Sequence, residues 1–266
     1  MRGRLVRRLG KRKRQEREVY AFKGHRTVDT GIFNDETMVY LSKFFDKGII
    51  GRIVFITARG KEADLYLCEP GISETVKGAK FVVLKFFRIE TSSFYTMNDY
   101  IVGDPRFGRM NKSKKSIIKI WCRKEYGNLQ IANEAGVNAP TPYMSNGSIL
   151  AMEFIGSDEG VPAPTLKRSE LSNPKKTLKS VIEQVKKLYG KELVHADLSE
   201  YNILMKGDKP YFIDFGQAVV IRHPNAMMFL KRDINNVLQY FSRQYGIDKD
   251  LDRVLEYVTG IKKDYE

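Results

Sequence analysis

The chain has 266 residues, a formal net charge of +14 and 42% hydrophobic residues, with 15 Phe and 14 Tyr to build a core, which excludes global disorder. Its two cysteines, Cys68 and Cys122, fall on different predicted elements, which excludes a disulfide framework and favours a reducing compartment. No run of about 18 apolar residues occurs, so a soluble, cytoplasmic protein without a membrane partner is expected.

Residues 1–18, "MRGRLVRRLGKRKRQERE", carry nine Lys or Arg against two Glu, about half of the whole excess charge. Like charges repel along such a block, so residues 1–20 read as a basic, disordered arm. The sharper reading is an arm that neutralises RNA phosphates. It lacks interleaved aromatics, so no base-stacking platform is signalled.

In 35–46, "DETMVYLSKFFD", Met38, Leu41 and Phe45 share one helical face, with Asp35 near the cap. The β-rich runs 52–58, 63–69 and 80–89 follow, with Arg59-Gly60 and Pro70-Gly71 as turns, and predict an antiparallel sheet. Residues 90–116 are polar and irregular and read as a flexible loop. Its end, "GRMNKSKKS" at 108–116, is a second basic segment with four Lys or Arg and no acid. A helix is expected over 116–136, capped by Gly136, and a hairpin over 140–156. From 165 the pattern turns mostly helical. Leu178, Val181, Ile182, Val185 and Leu188 form an amphipathic stripe that is core, and helices fit 224–245 and 248–263. The expected division is a β-rich lobe with an N-terminal helix over 21–151, then a helical lobe over 152–266.

Lys85 stands inside "VVLKFF", where an uncompensated ammonium is costly. It either reaches solvent on an edge strand or is paired, and Glu125 on the following helix is the available acid. Alone, Glu125 reads as a solvated helix residue. Gly60 and Lys61 lie in the turn between the first two strands. That turn holds one glycine and matches neither G-x-G-x-x-G nor G-x-x-x-x-G-K-[ST], so a plain hairpin is the better reading of it alone.

Residues 193–219 read "LVHADLSEYNILMKGDKPYFIDFGQAV". Asp197 and Asn202 are five apart and Asp214 follows 12 residues after Asn202. The runs "NILMK" and "PYFIDF" predict a hairpin that returns Asp214 to Asn202, with Asp197 just ahead of both. Two acids and an amide there make an oxygen-rich site suited to Mg2+. Any single Asp is also good turn chemistry, and His195 reads as a residue that orders the loop rather than as a base. The whole set, His-x-Asp-x-x-x-x-Asn and then Asp-Phe-Gly, is the pattern of a protein-kinase catalytic loop and metal loop.

With "GKEADLY" at 60–66, "VLKFF" at 83–87, "RKEYGNL" at 123–129, "MEFIG" at 152–156, "HADLSEYNIL" at 195–204 and "IDFGQAV" at 213–219, the chain resembles the RIO family of atypical serine/threonine kinases, closer to its type-one branch. The likeness runs from about residue 35 to the end. It implies an α+β, two-lobed kinase-like fold: an antiparallel β-sheet N-lobe and a helical C-lobe without the usual activation segment or substrate-binding helices. The implied cofactors are ATP and Mg2+, with Mn2+ as a substitute.

By this resemblance Gly60, Lys61 and Glu62 form a shortened phosphate loop, and Lys85 binds phosphate while paired with Glu125. Met152 is the gatekeeper, Glu153 and Ile155 present hinge backbone groups to adenine, and Leu204 packs beneath the ring. Asp197 is the catalytic aspartate, and Asn202 and Asp214 are the Mg2+ ligands. Asp214 is also a candidate phosphate acceptor, as are Ser113 and Ser116 in the basic loop.

The implied role is an ATP-dependent protein kinase or ATPase in maturation of the small ribosomal subunit, with an unidentified protein substrate. The arm at 1–18 and the loop at 108–116 fit contact with ribosomal RNA. Two alternatives stay open: a nucleotide-gated ribosome-binding factor with little kinase activity, and a small-molecule kinase, which "GKEAD" and "SEYN" argue against.

Overall fold

The computed structural model describes residues 19–22, 26–29, 35–88, 97, 100–107 and 113–261, so the arm at 1–18 and residues 108–112 of the second basic segment lie outside it. Strands β1 (Val19–Phe22) and β2 (Arg26–Asp29) pair antiparallel. Helix α1 (Asp35–Asp46) follows and buries Met38, Leu41, Phe44 and Phe45, one face of a 3.6-residue turn.

Five strands build the N-lobe sheet: β3 (Ile50–Arg59), β4 (Ala63–Pro70), β5 (Val82–Phe87), β6 (Pro142–Asn146) and β7 (Ile149–Glu153). They run antiparallel in the order β3-β4-β5-β7-β6, which puts β5 in the middle. A strand covered on both faces needs a continuous apolar run, and all six residues of "VVLKFF" are buried. Val82, Leu84 and Phe86 pack in a core with Met38, Leu41 and Phe44 of α1, whereas Phe87 belongs to a second core shared with the C-lobe. The two-residue period therefore turns Lys85 away from α1, toward the C-lobe. Paired on both sides, β5 leaves no edge for Lys85 to escape to.

Helix α2 (Lys114–Glu134) crosses on that second side and buries Ile118, Trp121, Cys122, Glu125 and Leu129. Gly136, just past its end, adopts φ +66, the left-handed geometry expected of the terminator.

The C-lobe comprises α3 (Pro174–Gly190), β8 (Leu193–Val194), β9 (Ile203–Lys206), β10 (Lys209–Phe212), β11 (Val219–Val220), α4 (Ala226–Tyr245) and α5 (Leu251–Thr259). The α3 stripe is core as expected: Leu178, Val181, Val185 and Leu188 are buried. The expected hairpin is β9–β10, turning at Gly207-Asp208 with Ile203 opposite Phe212. Only residues 217–225 separate Gly216 from α4, so the α+β, two-lobed fold with a reduced C-lobe is observed. Among the described residues no helix is long and apolar enough to cross a membrane. Cys68 and Cys122 are both free and buried.

The reading of 90–116 as one irregular loop needs correction. Met97, Tyr100, Ile101 and Asp104 are buried, Tyr100 stacks on Phe229 of α4, and a Cβ on Gly103 would collide with the His223 ring. Of the described residues here, Met97, Tyr100 and Ile101 are helical and spaced i, i+3 and i+4, and residues 100–107 pack on the C-lobe through partners far along the chain such as Phe229 and His223. Ser113 and Ser116 are not loop residues either. The Ser113 side chain caps α2 by accepting from the Ser116 N–H, and their hydroxyl oxygens are 2.8 Å apart.

Candidate active site

The centre is a buried ion cluster joining the lobes. Lys85 Nζ donates to Glu125 Oε1 and Oε2 at 2.8 Å each, and to Asp214 Oδ1 at 3.0 Å. Glu125 is 1% exposed and Lys85 8%, so the reading of Glu125 as a solvated acid fails and its pairing with Lys85 holds. Burial opposes charge on the amine, but Asp214 and Glu125 outweigh it and hold Lys85 above its ordinary range. Lys85 in turn holds the Asp214 carboxyl below its ordinary range. Burial pushes Glu125 up to about 7 against the pull of Lys85, so its ionised form depends on the lysine.

The hairpin brings the catalytic-loop residues together. Ile213 N–H bonds Asn202 O at 3.0 Å, which sets Asp214 beside Asn202. Asn202 Nδ2 donates to Asp197 O at 2.8 Å and to Asp197 Oδ2 at 3.0 Å. That leaves the amide oxygen of Asn202 free of these two bonds, the atom that would face a metal ion. Burial, then the charge of Asp214, pushes Asp197 up to about 6. His195 donates through Nε2 to Ile213 O at 3.0 Å, and burial drives its pKa down to about 4, so it orders the loop as a neutral ring.

Asp214 has φ +64 and Ala196 φ +63, a backbone region costing non-glycine residues about 1–3 kcal/mol and tolerated only where the surroundings over-determine it. Those surroundings were not legible in the sequence. Asp233 of α4 accepts Ala196 N–H at 2.7 Å and Leu198 N–H at 3.0 Å, gripping the backbone on both sides of Asp197. Arg232 donates to Ala196 O, and Asn236 to Leu198 O at 3.2 Å. Gln217 Nε2 reaches Asp197 Oδ2 at 3.3 Å. One signal did exist for Asp233: it occupies a stripe position among the buried Phe229, Leu230, Ile234 and Val237.

Across the cleft, Gly60 N–H bonds Ala63 O at 2.9 Å and Arg88 N–H bonds Glu62 O at 2.8 Å, which fixes the β3–β4 turn. Lys61 is exposed there. Burial and the charge of Asp214 raise the Glu62 carboxyl, so it faces the same site. At the other wall Met152 and Glu153 end β7, and Leu204 lies half-buried on β9. Ile155 gives its carbonyl to Ala163 N–H at 3.0 Å; among the described residues its own N–H has no hydrogen-bond partner. Ser116 lies nine residues ahead of Glu125, about 13 Å along the α2 axis, so the structure does not gather Ser113 and Ser116 with this cluster.

The donor set fits a hard divalent cation. Asp214 acts electrostatically against both Asp197 and Glu62, and Lys85 is the cation bonded to it. Among the described residues no three His, Cys, Asp or Glu side chains gather into a metal cage. Asp214 and Asn202 would supply two protein ligands and leave the remaining positions to water and phosphate oxygens, a division common for Mg2+.

Lys124, next to Glu125, is 1% exposed and was not anticipated. It donates to Gly216 O at 3.0 Å and to Ala218 O, while Asp104, Arg106 and Glu125 supply the charges around it. Burial lowers its pKa from 10.5 to about 7. The unfolded chain thus binds the extra proton between these values, so the parent gains stability from this group as pH rises from about 7 toward 10. The stability gap between the parent and Lys124→Met, read from urea midpoints, should therefore widen in the parent's favour over that range. A gap that does not change with pH means the amine is not depressed.

A β-sheet lobe carrying a Lys–Glu pair, set over a helical lobe that carries an aspartate, an asparagine and a second aspartate, defines the protein-kinase-like class. The RIO domain family matches residues 71–254, and the chain belongs to that family, on its Rio1 side. It is 37% identical over 233 residues to the RIO-type serine/threonine-protein kinase Rio1 of Haloferax volcanii, covering 88% of this chain and 78% of the relative. With the Rio1 kinase of Thermoplasma acidophilum it shares 42% over 187 residues, 70% of this chain and 98% of the relative. Among solved structures it is similar in fold to the Rio2 kinase of Chaetomium thermophilum in an ADP/Mg2+-phosphoaspartate complex, with TM-score 0.61 and 21% identity over 84% of this chain and 66% of that one.

Proposed function

We propose that the chain is an ATP- and Mg2+-dependent serine/threonine kinase and ATPase that acts in maturation of the small ribosomal subunit. The observation that carries the catalytic part is the buried Lys85–Glu125–Asp214 cluster standing beside Asp197 and Asn202. Lys85, held charged, would bind nucleotide phosphate, with the Gly60–Glu62 turn above it and the N–H of Ile155 available to adenine. Mg2+, held by Asn202 and Asp214, supplies charge neutralisation of the phosphates when bound, and Mn2+ has the same ligand chemistry. Asp197 takes the proton of a serine or threonine hydroxyl, or of water. The oxygen of that group bonds the terminal phosphorus as the bond from phosphorus to the ADP oxygen breaks. The phosphoaspartate named for the Rio2 relative supports Asp214 as an alternative acceptor. The test is Mg2+-dependent ATP turnover. If Asp197→Ala and Asp214→Ala both hydrolyse ATP like the parent, the enzymatic reading is lost; nucleotide binding without turnover by the parent would favour a nucleotide-gated binding factor.

The ribosomal part is supported by the family resemblance and by the two basic segments at 1–18 and 108–116. Cytoplasmic placement goes with it. Phosphate contacts make affinity fall with salt, by about 10³-fold or more between 50 and 200 mM when six or more are made. Binding of the full chain to small-subunit precursor RNA should show this dependence. Deleting residues 1–18 should weaken binding and flatten the salt slope, whereas binding and slope equal to the parent's would remove the arm from the interface.

A further inference from the structure

Asp214 is held through its side chain by Lys85, but its strained backbone, φ +64, needs a second grip. That grip comes from α2, the same helix that supplies Glu125. Trp121, Lys124 and Asn128 are spaced i, i+3 and i+7 and form one stripe facing residues 215–218. Lys124 donates to Gly216 O and Ala218 O, and Asn128 Nδ2 donates to Phe215 O at 2.8 Å and Ala218 O at 3.0 Å. Trp121 lies so close that a Cβ on Gly216 would come 2.7 Å from its Nε1, which is why a glycine is required there. The carbonyls of Phe215, Gly216 and Ala218 are thus bound by two buried side chains of one helix.

The stripe is itself backed by the packed segment before α2. Arg106 Nη1 donates to Asn128 Oδ1 at 2.9 Å, which turns the amide so that Nδ2 faces the loop. Arg106 is clamped by the fully buried carboxylate of Asp104, with Nη2 to Oδ2 at 2.6 Å. Tyr100 packs edge-on to Trp121 and stacks on Phe229 of α4.

We propose that Lys124 and Asn128 are positioning residues for the metal-binding aspartate, set in place by the Asp104–Arg106 clamp, so that one helix fixes Asp214 twice: indirectly at its carboxylate, through Glu125 holding Lys85, and directly at its loop backbone. With only residues 217–225 between Gly216 and α4, this brace supplies the order that a longer segment after the metal loop would otherwise have to provide. The proposal rests on the reading of Asp214 as a Mg2+ ligand.

The experiment is ATP turnover as a function of Mg2+ concentration, at saturating ATP, for the parent and the Lys124→Met, Asn128→Asp, Arg106→Lys, Asp214→Asn and Val185→Ala variants, each with its melting temperature. Outer groups that orient metal ligands typically change metal affinity or activity by about 10–100-fold. Lys124→Met and Asn128→Asp should therefore raise the half-maximal Mg2+ concentration about tenfold or more, with KM for ATP within about threefold. Arg106→Lys, altered at a partly exposed site, should fold and give a smaller rise in the same direction. Val185→Ala, a core truncation on α3, should lower the melting temperature and leave the Mg2+ requirement at the parent's value. If the brace variants melt lower yet keep the parent's Mg2+ requirement, their role is merely structural and the proposal falls. Should Lys124→Met and Asn128→Asp not fold, an Arg106→Lys requirement equal to the parent's overturns it equally. An Asp214→Asn variant with the parent's Mg2+ requirement would instead sink the ligand assignment itself.

Discussion

Asp197→Asn should lower ATP turnover by about 10²–10⁴-fold, the contribution expected of a positioned general base. The substitution is nearly isosteric, and the neighbours of the carboxylate, Asn202 Nδ2 and Gln217 Nε2, are both donors that an amide oxygen still satisfies. The grip of Asp233 on Ala196 and Leu198 is to backbone N–H groups and is untouched. What is lost is the basic oxygen, whose pKa burial and Asp214 have brought up to about 6, near the range where a base works best at neutral pH. Phosphate-release kinetics, with nucleotide binding measured in parallel by fluorescence titration, separate the two roles. Binding should stay within about threefold of the parent, and a turnover loss under tenfold would move the chemistry away from Asp197.

Lys85→Met should strike stability and activity together. Removing one member of a buried ion pair strands the other, at a cost of about 3–5 kcal/mol. Here the stranded group is Glu125, buried and already pushed up to about 7 with the lysine present, so in the variant it takes up a proton and loses its acceptor role. Asp214 loses its cation at the same time. Adding Glu125→Gln removes the stranded carboxyl, and the double variant should recover much of the lost stability in urea unfolding. Turnover should not recover, because the amine proposed to bind phosphate is still missing. If Lys85→Met unfolds at the parent's urea midpoint, the pair seen at 2.8 Å contributes nothing and Glu125 is not dependent on it.

The two experiments isolate different halves of the cleft. The first removes a proton acceptor from a loop that α4 continues to hold. The second removes the tie between β5, α2 and the metal loop, the place where the lobes are joined by charge.

Much of this cleft was legible before any coordinates. The β9–β10 hairpin was readable because strand alternation and a Gly-Asp turn are properties of neighbouring residues, and its register then dictates that Asp214 meets Asn202. The ends of α1, α2 and α3 were readable within a few residues for the same reason: a cap and a periodic apolar face act locally. Lys85 was readable from its own neighbourhood as an oddity, a charge in an apolar run, with Glu125 as its candidate partner; that it is paired, and also bonded to Asp214, was not decided by the sequence. Its two partners lie 40 and 129 residues away, and only strand order distinguishes a central lysine from an edge one.

The segment before α2 and the start of α2 show the limit from the other side. Met97, Tyr100, Ile101 and Asp104 fall at i, i+3, i+4 and i+7 and are buried, with Met97, Tyr100 and Ile101 helical, so a short periodic signal was present there; the polar residues between them hid it. Ser113 looked like a loop serine because capping uses the same residue types that loops use. The sequence by itself determined the local elements, the order of the kinase-motif residues and the family. Tertiary structure alone decided that Lys124, Asn128 and Asp104 are buried, and what they and Asp233 bind. The reason is physical: a polar side chain carries no mark of burial in its own neighbourhood, and its partners are backbone groups that any sequence possesses.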